Sequence, residues 1–184
     1  MLDCHNQLMK KKVNLDYFKI LQDIKNFSHI HAPAFIEPAL SYALDWLSPE
    51  LLGTGFKVTD FNDLSLQAEI PYHKKNCDFR GQIHQGLVVN ASLEMIKMLI
   101  SQHWPDQSWE ILDSEIQLAK KTNWSTDLKL SLSVDNAVID ALIVNLQKGL
   151  FHEVDFEILI HTSEHSKKDK FAAKIKFGSK KLLT

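Results

Sequence analysis

The pattern of apolar and polar positions separates the chain into helical and strand-like segments. Apolar residues lie on nearly every side of the stretch from Arg80 to Trp104, which predicts one long buried helix that Pro105 ends. The segments before and after this stretch alternate between apolar and polar residues, as strands with one buried face do. A helix that is apolar nearly all round must be covered by other elements, so we expect a curved antiparallel sheet to wrap it.

The same alternation predicts the individual strands. A hairpin turning at Asn62 and Asp63 precedes the long helix, and strands over 111–118 and 126–135 follow it. A short helix from Ala137 to Lys148, closed by Gly149, then leads into a final hairpin with apolar positions at 156–160 and 171–177. The expected fold class is therefore α+β, with about six antiparallel strands around one long central helix.

The amino-terminal part of the chain has a different pattern. Apolar residues recur at helical spacing from Leu15 to Phe27 and from Leu40 to Leu47, with Pro33 between the two patterns. We interpret residues 1–52 as an N-terminal helical extension and residues 53–184 as the main domain. A chain of 184 residues is long enough for one well-buried domain, so we expect a single domain overall.

Composition argues against several classes of partner. The net charge is −2, and neither end carries a block of like charges, so we expect no nucleic-acid and no membrane partner. Cys4 and Cys77 lack the spacing of a disulfide framework, which favours a cytoplasmic protein. No pair of histidines has further ligands at a suitable spacing, so we predict no metal site.

The residues around the start of the long helix resemble those of a known family. The segment GQIHQGLVVNASL, residues 81–93, resembles the glycine-bracketed start of the central helix in hotdog acyl-CoA thioesterases, and it follows a strand ending at Pro71 and a loop carrying Asn76. The chain is also similar to successive segments of an uncharacterised thioesterase-like branch of that superfamily, through GFKVTDFNDLSLQAEIPYHKKN, ILDSEIQLAKKTNWSTDLKLSLSV and FHEVDFEILIHTS. The resemblance covers Gly53 to the carboxyl terminus and implies a hotdog fold.

This resemblance also implies an assembly and an activity. The assembly is a homodimer with two long helices side by side and acyl-thioester sites at the subunit interface, and pairing of dimers into tetramers stays open. The activity is hydrolysis of an acyl-CoA or another acyl thioester, with the coenzyme A moiety as part of the substrate and no separate cofactor. Unpaired N–H groups around His84, Gln85 and Gly86 would hold the thioester carbonyl and its developing oxyanion.

The acidic residue that such enzymes carry on the central helix is displaced in this sequence. Leu93 occupies the matching position, and the nearest carboxylate, Glu94, lies about 100° further round the helix. Asn90, Glu94, Lys97 and Ser101 share a strip of about 60°. As a site, this strip would use Glu94 as base or nucleophile and Asn90 to position water or the carbonyl. As ordinary structure, it is a polar seam at a dimer interface or along an exposed edge.

Three further residues are candidates with ordinary alternatives. His84 precedes the helix and could be catalytic or could cap the helix. Asp113 lies on the strand that would flank the partner's site, yet only one of Asp113 and Glu115 is expected to face inward, and a solvated strand face is the alternative. Arg80, with the neighbouring lysines, could meet the phosphates of coenzyme A or belong to an ordinary polar loop.

Three functions follow from these observations. The first is a thioesterase-like hydrolase that uses Glu94, Asn90 and the backbone of residues 84–86. The second is a non-catalytic protein that binds an acyl chain or acyl thioester, which Leu93 at the acidic position favours. The third is a dimeric interaction module, which would have neither pocket nor ligand.

Overall fold

The computed structural model describes residues 48–104, 109–119, 123–162 and 168–179. Nearly all of the predicted N-terminal helical extension, residues 1–52, lies outside the described residues, and so does the loop between the strands of the final hairpin. The proposed domain boundary at residues 52 and 53 therefore stays a prediction.

Six strands and two helices make up the described part of the chain. The pattern predicted the order strand, strand, helix, strand, strand, helix, strand, strand, and the structure has this order. The elements are β1 (Lys57–Phe61), β2 (Ser65–Ile70), α1 (Gln85–His103), β3 (Trp109–Ala119), β4 (Leu128–Ser133), α2 (Asn136–Gln147), β5 (His152–Thr162) and β6 (Lys168–Ser179).

All six strands belong to one antiparallel sheet, with the spatial order β1-β2-β4-β5-β6-β3. The predicted α+β class with six antiparallel strands is confirmed. Strand β3 lies at one edge of this sheet and pairs with β6 through ten register positions from Trp109↔Ser179 to Ala119↔Lys170. Within the described residues, the other edge of β3 has no strand beside it.

Period-two alternation sets the two faces of the sheet. In β6, Phe171, Ala173, Ile175 and Phe177 are buried, and the lysines between them lie on the opposite face. The cross-strand partners follow the same rule, because Val154, Phe156 and Ile158 of β5 stand opposite the buried positions of β6. The outer face carries charged pairs, such as Lys174 with Glu153 at 3.0 Å.

Helix α1 begins later than its apolar pattern suggested. The residues from Asp78 to Gln82 form a tight turn, in which Asp78 Oδ1 accepts hydrogen bonds from the amides of Arg80 and Gln82 and Gly81 has a φ of 70°. A left-handed residue and side-chain bonds to the backbone stabilise a turn against a helix, so the helix starts only at Gln85. The helix contacts β2, β4, α2 and the 3₁₀ turn Pro49–Leu51.

The short helix and its ending agree with the sequence pattern. Helix α2 buries Ile139, Leu142 and Leu146, which recur at helical spacing. Gly149, with a φ of 72°, then ends the helix, and its amide donates to the carbonyl of Leu146. Among the described helices, none is long and apolar enough to cross a membrane.

Two glycines before β1 allow a matched test of packing. Gly53 and Gly55 both have a φ of 71°, but a Cβ at Gly53 would meet nothing within 4 Å, whereas a Cβ at Gly55 would lie 3.0 Å from Pro71 Cγ. We predict that Gly53→Ala lowers the free energy of unfolding by about 1 kcal/mol, from backbone strain alone. Gly55→Ala should cost clearly more, because the rigid proline ring must also move. Urea denaturation of both variants checks this, and equal losses would show that the Pro71 contact carries no strain.

Candidate functional site

One wall of the candidate site is the loop before α1, which Asn76 fixes from inside. Its side chain is only 3% exposed, and its Nδ2 donates to the carbonyl oxygens of Thr54 and Pro71, each at 2.8 Å. Its own carbonyl accepts the amide hydrogen of His84 at 2.8 Å. Because both Nδ2 hydrogens are used, the orientation of the amide is fixed and Oδ1 is left as a buried acceptor without a hydrogen-bond partner.

A second loop holds the start of α1 from the other side. The carbonyl of Trp124 accepts the amide hydrogen of Ile83 at 2.8 Å. The indole Nε1 of Trp124 donates to Asp169 Oδ2 of β6 at 2.6 Å, and both side chains are fully buried. A hydrogen bond to a buried carboxylate is stronger than one between neutral groups. Ile83 and His84 are therefore fixed between the Asn76 loop and the Trp124 loop.

His84 caps the helix. Its Nδ1 accepts the amide hydrogen of Gly86 at 3.1 Å, and its carbonyl accepts those of Leu87 and Val88 at 3.1 and 3.3 Å. Gln85 is an exposed residue, and within the described part of the chain its amide is the only one of the first four helical N–H groups that has no acceptor. The capping interpretation of His84 is thus confirmed, whereas a catalytic role of the ring stays a prediction.

The predicted polar strip on α1 has its charged groups paired with each other. Glu94 Oε1 lies 2.6 Å from Lys97 Nζ, and Ser101 Oγ donates to the carbonyl of Lys97. Glu94 is 7% exposed, and it makes a further polar or electrostatic contact besides its pair with Lys97. Asn90 is half-buried. The strip therefore contains a buried carboxylate that a lysine neutralises, one turn beyond a half-buried amide.

Glu94 does not share the most open face of α1. The half-buried residues Asn90, Leu93 and Lys97 lie within about 40° of the direction of exposed Gly86, whereas Glu94 is about 80° away from it. Glu94 is also nine residues beyond Gln85, which corresponds to about 13.5 Å along the helix axis. A single protomer therefore does not bring its own Glu94 to its own Gln85 amide.

Asp113 lies on the outer face of the sheet. Its register partner in β6 is Lys176, and Glu115 stands opposite Lys174, so both carboxylates share the face that is opposite to the buried residues of β6. The expectation that only one of the two would face inward is wrong, because residues two apart on a strand point to the same side. Asp113 Oδ1 accepts the amide hydrogen of Ser114 at 2.8 Å.

The outer face also carries a shallow cavity of about 200 Å³, lined by Glu115, Gln117, Asp155, Phe156, Ala172, Ala173 and Lys174. The hydrogen bond to Glu153 and the charges of the surrounding carboxylates raise the pKa of Lys174. None of the predicted site residues lines this cavity. Across the described residues, no three histidine, cysteine or acidic side chains are grouped so that they could hold a metal ion.

Comparison with solved structures identifies the fold. A Pseudomonas aeruginosa protein of unknown function, named a probable thioesterase, superimposes with a TM-score of 0.65 at 14% identity, over 77% of this chain and 95% of that chain. This chain has the hotdog fold of thioesterase-like proteins. A Chlorobaculum tepidum protein of unknown function gives 0.59 at 11% identity, covering 88% and 95% of the two chains. A Haemophilus influenzae thioesterase gives 0.53 at 12% identity, covering 76% and 91%.

The hotdog resemblance seen in the sequence is thereby confirmed at the level of the fold. Identities of this size show shared architecture and not a shared reaction. No protein-family profile matches the chain, and no curated protein matches it. The activity must therefore be argued from the site itself.

The sequence alone did not reveal the two anchors of the site. It named Asn76 only as part of the family resemblance, and its burial and hydrogen bonds show that it joins three segments. Trp124 and Asp169 are 45 residues apart, so no local pattern links them. A tryptophan in a polar loop was the one available signal, because such a large apolar side chain is seldom left exposed.

We predict that Asn76→Asp destabilises the protein strongly although it preserves the shape of the side chain. A carboxylate cannot donate hydrogen bonds, so the carbonyls of Thr54 and Pro71 would both lose their partner inside the protein. The expected loss in the free energy of unfolding is about 2–5 kcal/mol, measured by urea denaturation. Asn123→Asp is the matched control, because this exposed side chain uses its Oδ1 as an acceptor from Gln82 Nε2, and it should change the free energy of unfolding by less than about 0.5 kcal/mol. A similar small change in both variants would contradict the anchoring role.

A second prediction concerns the buried pair of Trp124 and Asp169. Asp169→Leu leaves the indole N–H without its acceptor and should cost about 1–3 kcal/mol, whereas Asp169→Asn keeps an acceptor oxygen and should cost less. Hydrogen exchange of the Ile83 amide is the local readout, since this amide is bonded to the Trp124 carbonyl. Protection of Ile83 that survives Asp169→Leu unchanged would show that the pair does not hold the helix start.

Proposed function

We propose that this protein hydrolyses acyl thioesters, acyl-CoA being the expected form, at a site that begins at the amino-terminal end of α1. The amide of the exposed residue Gln85 supports this proposal most directly, because it is a donor without an acceptor at the positive end of a 19-residue helix. The anchors on both sides fix its direction. A fixed donor of this kind stabilises an oxyanion without having to reorganise during the reaction.

The complete site requires two copies of the chain. Glu94 and Gln85 of one protomer are about 13.5 Å apart along the helix, so Glu94 would act on a carbonyl held by the partner's helix. Two surfaces support such a dimer. The face of α1 with Asn90, Leu93 and Lys97 is only partly covered, and Ile116 and Leu118 on the inner side of edge strand β3 are half-buried. We also propose that the sheet wraps around α1, as the resemblance in the sequence implies.

The reaction would proceed by general base catalysis. The thioester carbonyl binds with its oxygen at the Gln85 amide, and Asn90 positions a water molecule. The Glu94 carboxylate takes a proton from this water as its oxygen attacks the carbonyl carbon. The negative charge that develops on the carbonyl oxygen is stabilised at the helix start. When the tetrahedral intermediate collapses, the carbon–sulfur bond breaks and Glu94 returns the proton to the leaving thiolate.

Two groups of this site, the Glu94 carboxylate and the Gly86 amide, already have partners within the protein. Lys97 pairs with Glu94, so the carboxylate must exchange this contact for a hydrogen bond to water before it acts as the base. The Gly86 amide donates its hydrogen to the His84 ring, so it donates to the oxyanion only if the ring turns away. In the proposal, Gln85 is therefore the first donor and Gly86 the second.

A non-catalytic protein that binds acyl thioesters is the second candidate. Two observations favour it: Leu93 lies on the open face of α1 in the direction of Gly86, and Glu94 is buried and neutralised. Such a protein would bind the ligand at the same helix start without turning it over. The cytoplasmic location and the absence of a separate cofactor stay predictions from the sequence.

Gln85→Pro tests the oxyanion donor. Proline at the first helical position fits an α-helix and removes only the N–H group, and the extended backbone of His84 is compatible with a following proline. We expect kcat to fall about 100-fold or more in a panel of short to long and aromatic acyl-CoA substrates. Gln85→Ala, which keeps the N–H group, is the control and should stay near wild type. Equal activity of both variants would remove the Gln85 amide from the mechanism.

Mixing two inactive variants tests the composite site. Gln85→Pro and Glu94→Gln should each be inactive alone, but subunit exchange creates heterodimers with one intact site. At equal amounts, about a quarter of the wild-type activity should return. If activity is absent from both the mixture and the wild type while acyl-CoA still binds, the non-catalytic alternative is correct. If Glu94→Gln retains full activity, another group is the base.

A further inference from the structure

The loop before α1 displays an aromatic side chain in an unusual way. Phe79 is 91% exposed, although large apolar side chains are normally covered at least in part. It lies in the turn of residues 78–82, which we call the tip loop, together with Arg80, the one arginine of the chain. The Arg80 guanidinium carbon lies 5.2 Å from the centroid of the Phe79 ring.

Hydrogen bonds within the tip loop and from Tyr72 stabilise the turn that presents Phe79 to solvent. Asp78 donates its amide hydrogen to the Gln82 carbonyl at 2.8 Å and accepts the Gly81 amide hydrogen at 3.0 Å. Its carboxylate is engaged by the amides of Arg80 and Gln82. Tyr72, which is itself 42% exposed, donates its hydroxyl to the Gly81 carbonyl at 2.9 Å.

The tip loop is also close to the proposed reaction site. Cys77 and Ile83 form an antiparallel bridge at its base, and Ile83 is two residues before Gln85. Phe79 is four residues from Ile83, so it lies within about 14 Å of it. Lys74 and Lys75 are exposed in the preceding turn and add positive charge beside Arg80. The surroundings of the helix start thus combine two aromatic rings with three cationic groups.

We propose that the tip loop binds the adenine nucleotide of coenzyme A, which makes the carrier of the acyl group a nucleotide coenzyme. Arg80 lies over one face of the Phe79 ring, and adenine stacks on the other face. Arg80 and the two lysines meet the phosphate groups. The Asp78 carboxylate does not repel these phosphates strongly, because the tip-loop amides already surround it. This inference rests on the proposed function only in naming the nucleotide as part of the thioester substrate.

Binding of adenosine 3′,5′-bisphosphate, which contains the nucleotide and no thioester, tests the inference directly. NMR titration of the full chain should show saturable binding with shifts at residues 78–82. Phe79→Ala should weaken this binding at least about fivefold, the lower end for stacking on one base. Phe151→Ala is the matched control, because Phe151 is 53% exposed and carries Lys176 Nζ at 5.2 Å from its ring centroid. This variant should bind like wild type.

A kinetic comparison supplies the second readout. In the wild type, kcat/KM for an acyl-CoA should exceed that for the matching acyl-pantetheine, and Phe79→Ala should reduce this ratio through KM while leaving acyl-pantetheine turnover unchanged. If no thioester is hydrolysed but the bisphosphate binds in a Phe79-dependent way, the proposed function fails and the nucleotide site stands. Absence of bisphosphate binding, or equal weakening by Phe79→Ala and Phe151→Ala, overturns the inference. Dissociation of a dimer by Phe79→Ala without any loss of nucleotide affinity also overturns it.

Discussion

The start of helix α1 depends on buried hydrogen bonds that come from three distant parts of the chain. Asn76 joins the segments around Thr54 and Pro71 to the amide of His84, and Asp169 holds the Trp124 loop against Ile83. Removing one partner of such a bond leaves a buried polar group unsatisfied, which costs more than the bond itself contributes. These bonds therefore restrict the geometry of the helix start more than they add to the stability of the fold, and they fix where the first helical amides point.

The two faces of the sheet differ in burial and in charge. The buried face of β5 and β6 packs the core, whereas the opposite face carries charged pairs such as Glu153 with Lys174. Surface pairs of this kind add little stability, and they lie on the solvent-facing side of the sheet. Asp113 belongs to this charged face, and its position there separates it from the start of α1.

The position of the carboxylate on α1 is the main chemical question for this protein. A shift of one residue turns a side chain by about 100°, which moves it from an open face into a covered one. Leu93 on the open face and Glu94 in a buried pair with Lys97 are the direct result. Within the described part of the chain, Glu94 and Gln85 lie nine residues apart on the same helix, so the proposed hydrolysis requires a second copy of the chain.

The sequence by itself determined the class and order of the elements, since apolar alternation is a local property that each strand and helix carries in its own residues. Gly86 and His84 also mark the helix start locally, although the apolar pattern by itself extended the helix back to Arg80. Only the tertiary structure decided that Asn76, Trp124 and Asp169 anchor this start and that Asp113 faces outward. These features come from contacts between residues far apart in the chain or from strand register, and no local pattern encodes them.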